Sequence, residues 1–491
     1  MKAGSAPSVT QTYRCPICIG GNWIYSQNPP ETLANPSTGE PLTEISYCTP
    51  EEVDAAARAA HDAFPAWRER PVTERAQVLF RYREILTDHL EELTRLVSLE
   101  NGKTLDEARG SVRRGIEAVE FACGVPTLIM GESLENVGGR VGSTSLLQPL
   151  GVCVGIAPFN FPAMIPLWMF PLAIACGNTF VFKPSEKVPR TGVRLVELAY
   201  EAGLPAGVVN LVHGAKATVD ALLAHPRVKA VSFVGSAPVA KYVYQTAAAN
   251  GKRVQALGGA KNHMVVMPDC DLATTIKALL GAAFGCAGER CLATSVVVAV
   301  GDAADSLLRE LVKAAGAVKL GASTNPATQM GPLISAVHRE RVLSYIELGE
   351  REGAKLARDG RGDKPSDSST GFFLGPTIFD HVKPEMRIAR EEIFGPVLSM
   401  IRARDLDEAI SMVNNSSYGN ASCIFTQSGR AGQEFAHKIE AGMVGINVGV
   451  PAPSSHFPFT GWKGSFFGDL HAHGKDAIEF YTEKKVISSR W

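Results

Sequence analysis

Between Val152 and Met267, short apolar runs rich in Val, Ile and Phe alternate with stretches of helical periodicity, and this alternation constrains the fold more than any other feature. The runs are Val152–Ile156, Thr179–Phe182, Val208–Val212, Ala230–Val234 and Met264–Met267. Between them lie Leu167–Ala175, Gly192–Glu201, Thr218–Leu223 and Val239–Ala249. Unbroken apolar runs suit strands buried on both faces, and the intervening helices supply the crossovers of a parallel sheet. Such sheets bind ligands outside the carboxyl ends of their strands, which singles out Asn160, Lys183, Glu186 and Ser236. A second series predicts another α/β unit with its own sheet: Val296–Val300, Leu307–Ala315, Val397–Ile401, Leu406–Val413, Ala421–Phe425 and Val444–Asn447. A chain of 491 residues has room for two or three such units.

The flanking text is less regular. Residues 1–13 are small and polar and are expected to be disordered. The text from Ile19 to Leu42 is turn-rich, with a turn signal at Asn35–Gly39. Thr49 is an N-cap candidate, followed by Pro50 and two acids, and helical periodicity then runs in pieces to about Ala122. Arg358–Thr370 reads as a surface loop.

A formal net charge of -1, without runs of one sign, gives no reason to expect nucleic acid or an acidic membrane as partner. The longest apolar run, Phe161–Cys176, falls short of the ~20 residues of a spanning helix and contains three prolines. The first twenty residues lack a lysine-flanked apolar core. Ten cysteines in so long a chain do not form a disulfide framework, and the reading is a cytoplasmic, non-membrane protein. Cys15 and Cys18 have zinc-knuckle spacing without a second pair, and His213, His263, His456, His471 and His473 form no ligand set, so no metal is expected.

Three short segments can carry chemistry. In Gly281–Cys291, small residues crowd a cysteine that follows a helical stretch, and Arg290 is placed to favour a thiolate at Cys291. Those residues alone leave Cys291 open between a nucleophile and a small buried hydrophobe, with Cys286 as rival nucleophile. Asn160 ends a strand and can donate to an oxyanion, or can satisfy a local turn. Lys183 and Glu186 can hold two ribose hydroxyls, or form a solvated pair. Ser236 can cap the helix it opens, whose free amides suit a pyrophosphate, although no Gly-x-Gly-x-x-Gly loop is present.

These segments, in this order, resemble the aldehyde dehydrogenase superfamily. The resemblance runs through Pro158–Pro162, Phe182–Glu186, Phe233–Ser236, Leu257–Gly259, Gly288–Cys291 and Glu391–Pro396, over essentially the whole chain after residue 19. It implies two wound α/β units and a β-hairpin oligomerisation extension. The NAD-binding unit would comprise residues 14–131 and 150–258, the catalytic unit 259–455, and the bridging segments 132–149 and 456–491. It implies Cys291 as nucleophile, with the Asn160 side chain and the Cys291 amide as oxyanion hole. NAD would be held by Ala157, Phe159, Lys183, Glu186, Lys187, Ser236 and Gly258, with Glu392 on the nicotinamide ribose. A carboxylate on the adenosine ribose disfavours a 2′-phosphate, hence NAD over NADP. The family also implies a homodimer or homotetramer, with Gly142–Gln148 offering strand edges to a neighbour.

One departure bears on the subclass. Hydrolytic members carry Glu-Leu-Gly-Gly, whose Glu is the deacylating base; here Ala256 precedes Leu257-Gly258-Gly259 and cannot activate water. Ala260–His263, Trp168–Pro171, Phe457–Gly461 and Phe480–Glu483 are similar to the CoA-acylating methylmalonate-semialdehyde dehydrogenase branch. That resemblance implies CoA as acyl acceptor and loss of the substrate carboxylate as carbon dioxide or bicarbonate. It implies propionyl-CoA or acetyl-CoA as product, and Arg114 and Arg290 as carboxylate ligands. Valine, β-alanine and inositol breakdown are the pathways such a reaction serves. The alternatives are a hydrolytic aldehyde dehydrogenase with a relocated base, for which Glu289 is the nearest candidate, and a non-catalytic protein that keeps the fold.

Overall fold

The computed structural model describes residues 12–367 and 369–490. Residues 1–11 of the expected disordered start, Ser368 of the expected loop, and Trp491 lie outside them. Tyr13 opens a strand, Tyr13–Cys15, paired in parallel with Pro41–Ile45, which also pairs with Glu31–Ala34. The stretch from Ile19 to Leu42 is thus more ordered than its turn-rich text suggests. The turn itself is where expected, with the Ser37 and Gly39 amides donating to the Asn35 side chain and backbone carbonyl.

The first sheet has the strand order Phe466–Phe467, Arg253–Leu257, Val228–Val234, Val152–Ile156, Thr179–Lys183, Val209–Leu211, Ile17–Ile19, Asn22–Ile24. Its five central strands are parallel. From Val152–Ile156 the chain winds one way through Thr179–Lys183 and Val209–Leu211, then returns to lay Val228–Val234 and Arg253–Leu257 on the other side. The winding therefore reverses between Val152–Ile156 and Val228–Val234, and a ligand crevice belongs at their carboxyl ends. The second sheet runs Lys355–Arg358, Thr377–Asp380, Val397–Ala403, Thr294–Val300, Asn262–Val266, Ala421–Phe425, Met443–Ile446, parallel except at its first strand.

The run at Met264–Met267 is a correction. It closes the first alternating series in the text, yet its strand, Asn262–Val266, sits inside the second sheet between Thr294–Val300 and Ala421–Phe425. The last strand of the first sheet is instead Arg253–Leu257. Only Gly258–Lys261 separates the two, so the chain passes from one sheet to the other through a glycine pair.

The helices follow their local signals. Thr49 and Glu52 form a capping box around the first turn of Pro50–Glu69, and Thr104 and Glu107 repeat it at Leu105–Cys123. The apolar run becomes Met164–Ala175, a helix buried on every side. Gly115 lets it pack closely against Leu105–Cys123: a Cβ there would stand 2.7 Å from Leu167 Cδ1. No helix among the described residues is long and apolar enough to cross a membrane.

A separate three-stranded sheet carries Val141–Pro149 in the middle, with Ser133–Gly138 on one side and Thr482–Arg490 on the other. This narrows the expectation for Gly142–Gln148. The first part of that segment is flanked on both sides, so there the open edges belong to Ser133–Gly138 and Thr482–Arg490, while Leu146–Gln148 pairs with Thr482–Arg490 alone.

Candidate active site

The crevice is built from strand ends. The Ala157 amide donates to Lys183 O, which carries the pairing one step past the two central strands. Beyond that point Phe159 and Asn160 leave the sheet. At the end of Thr179–Lys183 the buried Lys183 Nζ donates to Glu186 Oε2 at 3.0 Å. Burial opposes ionisation of Glu186, but the Lys183 charge, hydrogen bonds from its own amide and from Lys183, and the Lys187 charge together outweigh it and hold the carboxyl below its ordinary range. The Lys187 ammonium lies 4.9 Å from the Phe159 ring centroid. Ser236 stands at the N-cap of Ala237–Ala249, but its side chain makes no capping bond, contrary to expectation; Pro238 in the first turn already removes one donor. Gly258 donates its amide to Ser465 O at 2.8 Å, and a Cβ there would reach Gly464 O at 3.0 Å, so the glycine admits close backbone packing.

The helix Leu272–Phe284 ends in a tight turn in which Cys286, Ala287 and Gly288 all take positive φ (52°, 51° and 74°). Two of these are not glycine, so the turn is held against its backbone preference. A Cβ on Gly288 would lie 2.2 Å from Gly395 O, which places this turn directly on the Glu392–Pro396 loop. Cys291 follows, partly exposed, with its carbonyl accepting from both Asn262 Nδ2 and Asn420 Nδ2 at 2.8 Å. Burial, reinforced by Glu392, pushes its thiol up to about 12, although the Cys291 and Leu292 amides and Lys103 pull the other way. The Asn160 side chain donates to Glu289 O at 3.0 Å, which brings the expected oxyanion donor to the loop that carries Cys291.

Glu392 accepts from the Ala260 amide at 2.9 Å and is raised above its ordinary range by burial. Phe394, from the same loop, meets Phe159 edge-on at 5.8 Å. A small cleft lies between the Glu392 loop and the turn before Cys291, lined by Ala260, Asn262, Gly288, Arg290, Glu392 and Phe394.

Residues 23–487 match the profile of the Aldehyde dehydrogenase family. The chain belongs to the aldehyde dehydrogenase family. A malonate-semialdehyde dehydrogenase of Geobacillus thermodenitrificans is 56% identical over 483 residues, 98% of this chain and 100% of that protein. The crystal structure of a methylmalonate-semialdehyde dehydrogenase from Oceanimonas doudoroffii superposes with a TM-score of 0.96 at 49% identity, over 98% of this chain and 99% of that one. An NAD+ complex of an aldehyde dehydrogenase from Bacillus cereus superposes with a TM-score of 0.93 at 33% identity, over 97% and 96%.

Within this aldehyde dehydrogenase the two arginines have different surroundings. Arg290 does not turn to Cys291. Its Nε donates to Cys286 Sγ at 3.1 Å, Nη1 to Gly281 O and Nη2 to Glu107. The left-handed turn folds Arg290 back over Cys286, toward a separate cavity lined by Ile276, Leu280, Phe284 and Met330. Arg114 is exposed on Leu105–Cys123 and donates to Pro453 O at 3.3 Å. Ala256 is fully buried, opposite Phe233 on one side and Phe467 on the other, so its position holds no proton acceptor. The Glu289 carboxyl accepts from the Ile334 amide at 3.2 Å and lies 3.4 Å from His338 Nε2; burial pushes it up to about 8.

The sequence reading missed Lys103, Asn101 and Asn420, which grip the backbone of the Asn160 and Cys291 loops. None lies in a segment with a chemical pattern of its own. Asn262 was visible only as part of a family resemblance.

Proposed function

We propose that this aldehyde dehydrogenase oxidises malonate or methylmalonate semialdehyde with NAD through a Cys291 thioester, and passes the acyl group to CoA with loss of the carboxylate. The observation that carries the reading is Ala256, a buried methyl group where a deacylating carboxylate is needed for hydrolysis. The relatives named for semialdehyde substrates, one of them 56% identical, support the substrate class.

The residues divide the work as follows. Lys183 and Glu186 would hold the adenosine ribose, Ala157, Phe159, Lys187, Ser236 and Gly258 would line the dinucleotide, and Glu392 would meet the nicotinamide ribose. NAD, when bound, supplies the acceptor for the hydride that leaves the substrate carbon. Cys291 Sγ forms the C–S bond, and the Asn160 amide with the Cys291 backbone N–H receives the oxyanion. Glu289 is a poor substitute base: at neutral pH a carboxyl near 8 is mostly protonated, and its oxygen already accepts from Ile334. The thioester therefore waits for a thiol. Loss of carbon dioxide from the malonyl-type thioester leaves an enolate that takes a proton, and transfer to CoA frees Cys291. Arg114 and Arg290 remain candidates for the substrate carboxylate; Arg290 would first have to give up its partners.

Under this reading residues 14–131 and 150–258 bind NAD, 259–455 carry the catalytic cysteine, and 132–149 with 456–491 join subunits of a cytoplasmic homodimer or homotetramer. The decisive test supplies each semialdehyde and NAD with and without CoA, and identifies the products. We expect steady NADH formation and propionyl-CoA or acetyl-CoA only when CoA is present. Fast steady release of free acid without CoA would establish a hydrolytic enzyme instead.

A further inference from the structure

Lys103 lies in the link between the helices Leu90–Asn101 and Leu105–Cys123 and is 2% exposed. Its ammonium donates to Asn101 Oδ1 at 3.1 Å and to Asn160 O, and lies 4.4 Å from the Phe161 ring centroid. Asn101 in turn donates Nδ2 to Phe159 O at 2.9 Å. Two neighbouring residues thus hold Phe159, Asn160 and Phe161, the loop that presents the oxyanion amide.

These partners are neutral oxygens and an aromatic face. No carboxylate forms an ion pair with Lys103 among the described residues, and burying a cation held only by neutral oxygens is costly. Its influence reaches Cys286, Glu289 and Cys291, each of which it draws toward ionisation. Only Cys291 is expected to gain negative charge during the reaction, first on sulfur and then on the carbonyl oxygen of the bound aldehyde.

We propose that Lys103 is a positioning residue for acylation: it fixes the Asn160 loop through the Asn160 carbonyl and sets its ammonium behind the oxyanion hole. The inference rests on Cys291 as nucleophile. Lysine suits the role because its ammonium can serve two oxygens and a ring at once, whereas Met, one atom shorter and without a donor, would keep most of the packing but give up both the hydrogen bonds and the field.

The test compares Lys103→Met, Lys103→Arg and wild type by the rate of the NADH burst and by alkylation of Cys291 with iodoacetamide between pH 7 and 10. Loss of the charge should slow the burst by about 10-fold to 100-fold, and should slow alkylation at each pH with the profile displaced upward. Arg should recover part of both. A packing role predicts the reverse order, with Met close to wild type and the bulkier Arg impaired, and that order would overturn the proposal. Should Lys103→Met fail to fold, Asn101→Ala decides: it frees the loop but leaves the charge, so a slower burst with an unchanged alkylation profile supports the proposal, and an unchanged burst refutes it. A burst that survives Cys291→Ala would instead remove the nucleophile assignment on which this inference stands.

Discussion

At the scale of single residues, the two neighbouring thiols have different surroundings. Cys286 is buried under the Arg290 guanidinium, whereas Cys291 is partly exposed beside the Glu392 loop with its carbonyl held by two amides. Cys291→Ala should abolish the NADH burst and Cys286→Ala should retain it; the opposite pair of results excludes Cys291. A thiol pushed up to about 12 is almost wholly protonated at neutral pH. Since the thiolate is the reactive form, a raised pKa moves reactivity to higher pH. Without NAD, alkylation of Cys291 should climb steadily from pH 7 to 10, and a plateau near pH 8 would contradict a raised thiol. The strand ends and the Lys183–Glu186 pair were legible because they sit in local patterns. The direction of Arg290 was not, because it depends on two non-glycine residues adopting positive φ. Nor was Lys103, whose role comes from a loop 57 positions away.

At the scale of elements, the reversal of winding in the first sheet and the left-handed turn before Cys291 together make the site. Gly288 is the joint. Its φ of 74° and the 2.2 Å approach of a hypothetical Cβ to Gly395 O leave no space for a methyl group. Gly288→Ala should destabilise the fold by about 2 kcal/mol or more, read as a lower melting temperature, and should weaken NAD binding by displacing Glu392. A variant that melts and binds like wild type would show that the two loops move independently. The N-cap at Thr49 was readable from four residues, whereas the same Thr-x-x-Glu pattern at Thr104 was missed. The placement of Asn262–Val266 was not readable: two apolar strands separated by only four residues look continuous in one dimension, and only pairing shows that they serve different sheets.

For the whole molecule, the three-stranded sheet stands out as poorly covered. Val486 is 69% exposed and Leu134 63%, on strands that also offer free edges. Apolar strands left this open mark an association surface, which agrees with the proposed oligomer. Val486→Lys combined with Ile487→Lys should lower the molar mass measured by light scattering without unfolding the subunit. An unchanged mass would move the subunit contact elsewhere. That sheet also sets an order of events. Ser143 meets Ser488, 345 positions later in the chain, and pairings so distant form last. During synthesis the sticky surface stays incomplete until Thr482–Arg490 has emerged, so nascent chains on one messenger have little opportunity to join before the two wound sheets of each have been made.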